Sequence, residues 1–228
     1  MAGKILQEQL AYYRARAAEY DEWFYRQGRY DRGEIANAHW AGEIETVKAD
    51  LKQFNPSGDI LELAAGTGIW TEALAMYSRQ ITCVDASAEM LTIHRAKLQN
   101  PHIQYIEADL FNWQPTMQYD VVFFAFWLSH VPPEKLTAFL GTVREAMKPD
   151  GRFFMIDSQR TQLGTSSDQI IPPEGTVLKR TLNDGRTFSI VKVFYSPDML
   201  KTAFERAGFQ IKVYRTDTNF IYACGGPA

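Results

Sequence analysis

Apolar and polar positions follow three different rhythms along this 228-residue chain. Residues 5–25 carry a helical pattern crowded with aromatics: Tyr12, Tyr13, Tyr20, Trp23, Phe24 and Tyr25. Gly28-Arg29-Tyr30-Asp31-Arg32-Gly33 breaks it as a loop. A second helix is predicted over 34–54, ended by Asn55-Pro56-Ser57-Gly58. From Asp59 onward, short apolar runs alternate with amphipathic stretches. Strands are predicted at 60–63, 80–84, 103–106, 119–126 and 152–156, with helices at 70–77, 88–98 and 133–147. The run 119–126 is apolar almost throughout, as a central parallel strand covered on both faces should be. Such alternation predicts an α/β fold built on a doubly wound parallel sheet.

The last third changes character. Runs 176–182 and 186–194 flank Asn183-Asp184-Gly185, a strong hairpin turn signal. Ser196-Pro197-Asp198 opens a helix to about residue 207, with Ser196 as N-cap, and Gly208 ends it. Strands 209–214 and 220–224 follow with only a short link between them, so they must run antiparallel and the sheet finishes with a reversed strand. The expected organisation is one domain over 1–228. Residues 1–55 form a helical lid and N-terminal helix, and a β-hairpin insert at 158–194 forms part of a substrate cover.

Composition narrows the chemistry. A hydrophobic fraction of 46%, a charged fraction of 22% and a net charge of −3 fit an ordinary soluble globular protein with no overall basic footprint for nucleic acid or anionic membranes. Cys83 and Cys224 lie inside apolar runs and read as reduced core residues. No apolar stretch approaches the roughly 20 residues of a membrane span, and Met1-Ala2-Gly3-Lys4 leads into polar residues, so a cytoplasmic protein is expected. No HExxH, CxxC or GxSxG pattern occurs, and no metal site is expected.

The most informative stretch is Asp59-Ile60-Leu61-Glu62-Leu63-Ala64-Ala65-Gly66-Thr67-Gly68. It reads as a buried strand, an acidic residue and a glycine turn leading into a helix, a corner suited to nucleotide-type ligands. A dinucleotide fingerprint would need a third glycine where Thr71 stands. Asp85 ends the second strand, where its carboxylate can accept hydrogen bonds from both hydroxyls of a ribose. Asp109 ends the third strand, where it can accept from the exocyclic amine of adenine, with Leu110 and Phe111 as apolar cover. Acids after all three strands leave nothing positive for a pyrophosphate. They suit a ligand that is cationic or neutral at its centre.

Together with YDVVFFAFWLSHVP (119–132) and KPDGRFFMID (148–157), the stretches LELAAGTG, CVDAS and EADLFNW resemble class I S-adenosylmethionine-dependent methyltransferases. The AxxYDEW pattern from Ala17 resembles the amino-terminal cover of small-molecule methyltransferases related to the quinone-biosynthesis group. The resemblance implies a Rossmann-like seven-stranded sheet with a reversed strand, and S-adenosylmethionine as cofactor. It also implies roles: Glu62 shapes the loop near the methionine end, while Ala64, Gly66 and Gly68 line the methionine and ribose. Asp85 holds the ribose hydroxyls, with Ala86 and Met90 beside adenine. Asp109 and Leu110 bracket the adenine edge, and Phe126 and Trp127 lie near the sulfonium.

His130, just past the fourth strand, is the candidate base or substrate contact, and His39, His94 and His102 read as inert surface residues. Tyr12, Tyr13 and Tyr25, with Trp127 and His130, are the expected substrate walls, the first three on a mobile aromatic lid. Arg160, Lys179, Arg180 and Arg186 of the insert read as solvated hairpin charge in preference to a steering patch for an acidic substrate. The expected function is methyl transfer to a small molecule by direct displacement, in a monomer or homodimer without nucleic-acid or membrane partners. A non-catalytic S-adenosylmethionine sensor or scaffold and an NAD-dependent oxidoreductase are the alternatives.

Overall fold

A computed structural model describes residues 2–228. Its main sheet has seven strands in the order β3-β2-β1-β4-β5-β9-β8. These are β1 (Gly58–Leu63), β2 (Ser78–Asp85), β3 (Ile103–Glu107), β4 (Tyr119–Ala125), β5 (Met147–Ser158), β8 (Phe209–Arg215) and β9 (Phe220–Pro227). β1 to β5 pair in parallel, while β9 runs antiparallel to both β5 and β8. The reversed strand is therefore slotted between its neighbours. A separate hairpin, β6 (Val177–Thr181) and β7 (Thr187–Val191), turns at Asn183-Asp184-Gly185 as the sequence predicts.

Both faces of the sheet are covered, so its central strands are apolar on both sides. On one face Leu61, Leu63, Val122, Phe124, Phe153 and Met155 pack with helices α6 (Pro133–Glu145) and α7 (Pro197–Arg206). On the other, Ile60, Val121, Phe123, Phe154 and Ile156 meet Trp40, Ile44, Val47 and Leu51 of helix α3 (Glu34–Phe54). The period-2 alternation of strand side chains places Glu62 on this second face, beneath helix α4 (Thr71–Ala75), 3% exposed. Ser87 caps helix α5 (Ala88–Lys97) by accepting from the Met90 amide, and Ser196 caps α7 by accepting from Met199.

Three expectations need correction. The helix over 5–25 is broken: α1 (Ala2–Arg16) gives way to a 3₁₀ turn at Ala17–Glu19 and a short α2 (Tyr20–Phe24). The break lets Arg16 turn inward among tyrosines and lets the Trp23 indole donate to the Gly164 carbonyl at 2.9 Å. The strand at 152–156 begins earlier, at Met147, because Pro149-Asp150-Gly151 is absorbed as a register shift opposite Tyr119 and Val121. His94 is fully buried rather than on a surface; its ring fills the space left by the missing Cβ of Gly68, which would otherwise lie 2.4 Å from His94 Cδ2.

No helix among the described residues is long and apolar enough to cross a membrane. His39, Glu43 and Asp217 bring ligand atoms within 4.8 Å of one another, but both Glu43 oxygens already accept from Thr216, Thr218 and Asn219. This cluster fastens the β8–β9 link to α3.

Phe153 stacks on Phe204 at 4.8 Å and meets Phe209 edge-on at 5.4 Å, so it docks α7 and β8 onto the sheet. Phe153→Ala is expected to cost about 3–5 kcal/mol of unfolding free energy in urea titration. A loss below 1 kcal/mol would show that α7 is not held through this ring.

Candidate functional site

The site grows from the carboxyl ends of β1, β2 and β4, where an open α/β sheet leaves a crevice. Past Leu63 the chain enters the left-handed region at Ala64 (φ 55°), Gly66 (φ 55°) and Gly68 (φ 84°). Phe126, just past β4, adopts φ 55° as well. A left-handed alanine and phenylalanine each cost on the order of 1–3 kcal/mol, and both border the crevice. Asp85 holds the turn: one carboxylate oxygen accepts from Gly66 N at 2.9 Å and the other from Ser87 N at 2.9 Å. Burial raises the Asp85 pKa, opposed by these amide donors.

Two chambers open from this corner. The larger has a volume of about 430 Å³, within the range of small-ligand sites. Ala64, Gly66, Asp85, Ala86, Met90, Asp109, Leu110, Phe126 and Trp127 all line it, so nine of the eleven residues predicted for the cofactor come together. Leu6, Leu10 and Tyr13 of α1 roof it. The Trp127 indole N–H is buried there with no partner among the described residues, a donor of the kind a bound ligand can satisfy. Asp109 is held by Phe111 N at 3.0 Å and Asn112 Nδ2 at 2.7 Å.

Glu62 and Gly68 lie outside this chamber. Glu62 accepts from Thr71 Oγ1 at 2.5 Å and from Cys83 Sγ at 3.6 Å, bracing the turn from below. Burial pushes its carboxyl up to about 8. Gly68 makes room for His94, whose pKa burial lowers to about 4.

The smaller chamber, about 50 Å³, lies between α1, the insert and the end of β5. Tyr12, Tyr13, Arg16, His130, Arg180 and Lys192 are among its walls, and it shares Tyr13, Tyr20, Phe126 and His130 with the larger one. His130 is 6% exposed, and burial followed by the nearby Lys192 ammonium holds its pKa well below the ordinary value. Its Nδ1 lies 2.6 Å from the Val191 carbonyl, which can only accept. Nδ1 therefore carries the proton, and Nε2 accepts from the Tyr13 hydroxyl at 2.7 Å. Lys192 is paired with buried Asp157 at 3.3 Å, and Asp157 also receives Ser129 N.

Of the expected substrate walls, Tyr12 and Tyr13 face the smaller chamber, with Trp127 and His130 in the larger one. Tyr25 does not: α2 ends at Phe24, and the Tyr25 ring turns outward, 54% exposed. The lid is also stitched down. Gln9 donates to the His130 carbonyl and accepts from Val191 N, Arg14 donates to the Ala86 carbonyl, and Asp21 receives Thr67 Oγ1. Arg16 and Lys192 were missed from sequence. The spacing Tyr12–Arg16–Tyr20, one helical turn per step, was the available signal for the first.

Residues 60–151 match a family model described as a methyltransferase domain. A solved complex of DhpI with SAM and HEP superposes with a TM-score of 0.79 at 35% identity, covering 98% of both chains. The DhpI–SAH complex gives 0.78 at 34%, covering 98% of this chain and 97% of that one. The chain belongs to the class I S-adenosylmethionine-dependent methyltransferases. Among curated methyltransferases, the mitochondrial ubiquinone biosynthesis O-methyltransferase of Schizosaccharomyces pombe is 32% identical over 46% of this chain and 39% of its own length. The chain spans less than half the length of the first four curated relatives it matches, from 35% to 47%.

Glu62 gives this methyltransferase a pH-dependent strut. Its folded pKa of about 8 lies above the unfolded value, so its contribution is full below about pH 4.5 and is lost as pH rises through 8. Unfolding free energy is expected to fall by a few kcal/mol over that window, and Glu62→Gln to flatten the fall. Parallel curves for the two proteins would remove Glu62 as its source.

Proposed function

We propose that this protein transfers a methyl group from S-adenosylmethionine to a small-molecule acceptor by direct displacement. The observation that carries this reading is the pair of chambers meeting at Tyr13, Tyr20, Phe126 and His130. The larger presents Asp85 to a ribose, Asp109 to an adenine edge, and Phe126 with the free Trp127 N–H beyond them. When bound there, the cofactor supplies a methyl group already activated on a sulfonium. The chain's own residues then have to align the acceptor, exclude water and keep the two reactants in line.

α1 excludes water by roofing the larger chamber, and Tyr13, in both linings, stands at the passage between the two. His130 is assigned a positioning role. With Nδ1–H committed to Val191 and Nε2 to Tyr13, it orients the Tyr13 oxygen toward the passage and has no free site for an acceptor proton. Burial raises the Tyr13 pKa well above its ordinary value, so Tyr13 serves as a neutral hydrogen-bond donor and acceptor. Asp85 is the main cofactor anchor, with Gly66 held to it.

Calorimetric titration with the demethylated cofactor is the direct test. Tight binding is expected for wild type, and Asp85→Ala is expected to weaken it by about 10- to 100-fold, or roughly 1–3 kcal/mol, through lost charge-assisted hydrogen bonds. Asp85→Asn, which keeps one acceptor, should fall between. Heat from NAD and none from the demethylated cofactor would overturn the reading. Labelled-methyl transfer into a small-metabolite mixture, with none into RNA or DNA, tests the acceptor class.

A further inference from the structure

The smaller chamber carries an unbalanced charge. Arg16 is 8% exposed, and its guanidinium lies 5.0 to 5.7 Å from the ring centroids of Tyr12, Tyr20 and Tyr30. One of its nitrogens donates to the Tyr30 hydroxyl at 3.2 Å, and its buried Nε–H has no partner among the described residues. Arg180 comes in from the insert, with only neutral acceptors: Thr165 Oγ1 at 3.0 Å and Gln169 Oε1 at 3.2 Å. Lys192 has a carboxylate, Asp157, but among the described residues neither arginine has one within ion-pair distance. Arginine stays protonated in proteins, and a buried cation without a counter-charge is costly. Arg16 is buried and Arg180 half-buried, both face one space, and no aspartate or glutamate among the described residues lines it.

We propose that the acceptor is a small acid whose oxyanion is held by Arg16 and Arg180, and that its anionic oxygen is the atom methylated. This rests on the methyltransferase reading above. Three observations converge on it. The walls supply positive charge and phenol donors, which suit an oxyanion bound through several oxygens. The volume of about 50 Å³ admits a group of only a few heavy atoms, as a phosphate, phosphonate or carboxylate head is. The nearest base, His130, has both ring nitrogens engaged, so a nucleophile that arrives already ionised is the one this chamber can serve. The step balances without a further reactant: an oxygen lone pair forms the O–CH₃ bond as the C–S bond breaks, and its electron pair goes to sulfur. The sulfonium loses its positive charge, the acceptor loses one negative charge, and no proton moves.

Two measurements test it on the full chain. Calorimetry with inorganic phosphate, in the presence of the demethylated cofactor, should show binding that Arg180→Met weakens at least tenfold while binding of the demethylated cofactor itself stays unchanged. Should that variant not fold, Arg180→Lys, which keeps charge but loses the planar fork, is expected to weaken phosphate severalfold. In the second measurement, labelled S-adenosylmethionine is offered with small phosphate monoesters, phosphonates and carboxylates, each beside its neutral amide or alcohol counterpart. Methyl esters of the acids alone are expected, and which series reacts separates phosphorus oxyanions from carboxylates. Methylation of neutral counterparts in preference to the acids, or phosphate binding unaffected by Arg180, overturns the proposal. Failure of the demethylated cofactor to bind wild type would instead sink the methyltransferase reading on which it rests.

Discussion

Asp85 reaching across to Gly66 is the contact on which the site depends. The carboxyl end of β2 holds the turn that leaves β1, and Ser87 N ties the same carboxylate to the start of α5. Three elements are thereby set by one side chain. The turn needs such a tie because Ala64, Gly66 and Gly68 all sit at positive φ, where the backbone has little preference of its own to stay. Glu62 supports it from below through Thr71, and His94 fills the space under Gly68. A crevice of defined shape follows, bordered by the carboxylates of Asp85 and Asp109, by apolar rings and, at Lys135, by one cation.

Charge is divided unevenly between the two chambers, although Lys135 also lines the larger. Asp85 and Asp109 face the larger one, while Arg16, Arg180 and Lys192 face the smaller. The boundary is aromatic and neutral: Tyr13, Tyr20, Phe126 and the uncharged His130. Such a wall keeps opposite charges from collapsing onto one another across a short distance. It also suits a reaction in which charge must move between the chambers and disappear.

How much of this was legible depended on the range of the interactions. The β/α alternation could be read because burial on both faces makes each central strand a continuous apolar run, as in 119–126, and α3 matches its predicted span of 34–54. The corner around Asp85 and Gly66 could be read because its parts lie at the ends of successive strands, whose order is local. The smaller chamber could not. Arg16 and Arg180 lie far apart along the chain, and Arg180 looked like any charged hairpin residue until the fold brought it inward beside Gln169 and Thr165. The helix break at Ala17–Glu19 is likewise a tertiary effect, imposed by the tyrosine cage and by Trp23 reaching Gly164. Tyr25 was misread for a related reason: in a helix this short, periodicity does not say which side faces in.

α1 is a shared roof. Leu6 and Leu10 close one chamber, Tyr12 closes the other, and Gln9 and Arg14 anchor the helix to opposite banks. Occupants of both chambers therefore meet the same fifteen-residue rod. Thermodynamic reciprocity then applies: whatever factor the first guest contributes to the settling of that rod, the second returns in its own affinity. Coupling between the occupants of the two chambers is thus a property of one helix, and the fastening at Arg14, which lines neither chamber, is where evolution could retune it without touching either set of contacts.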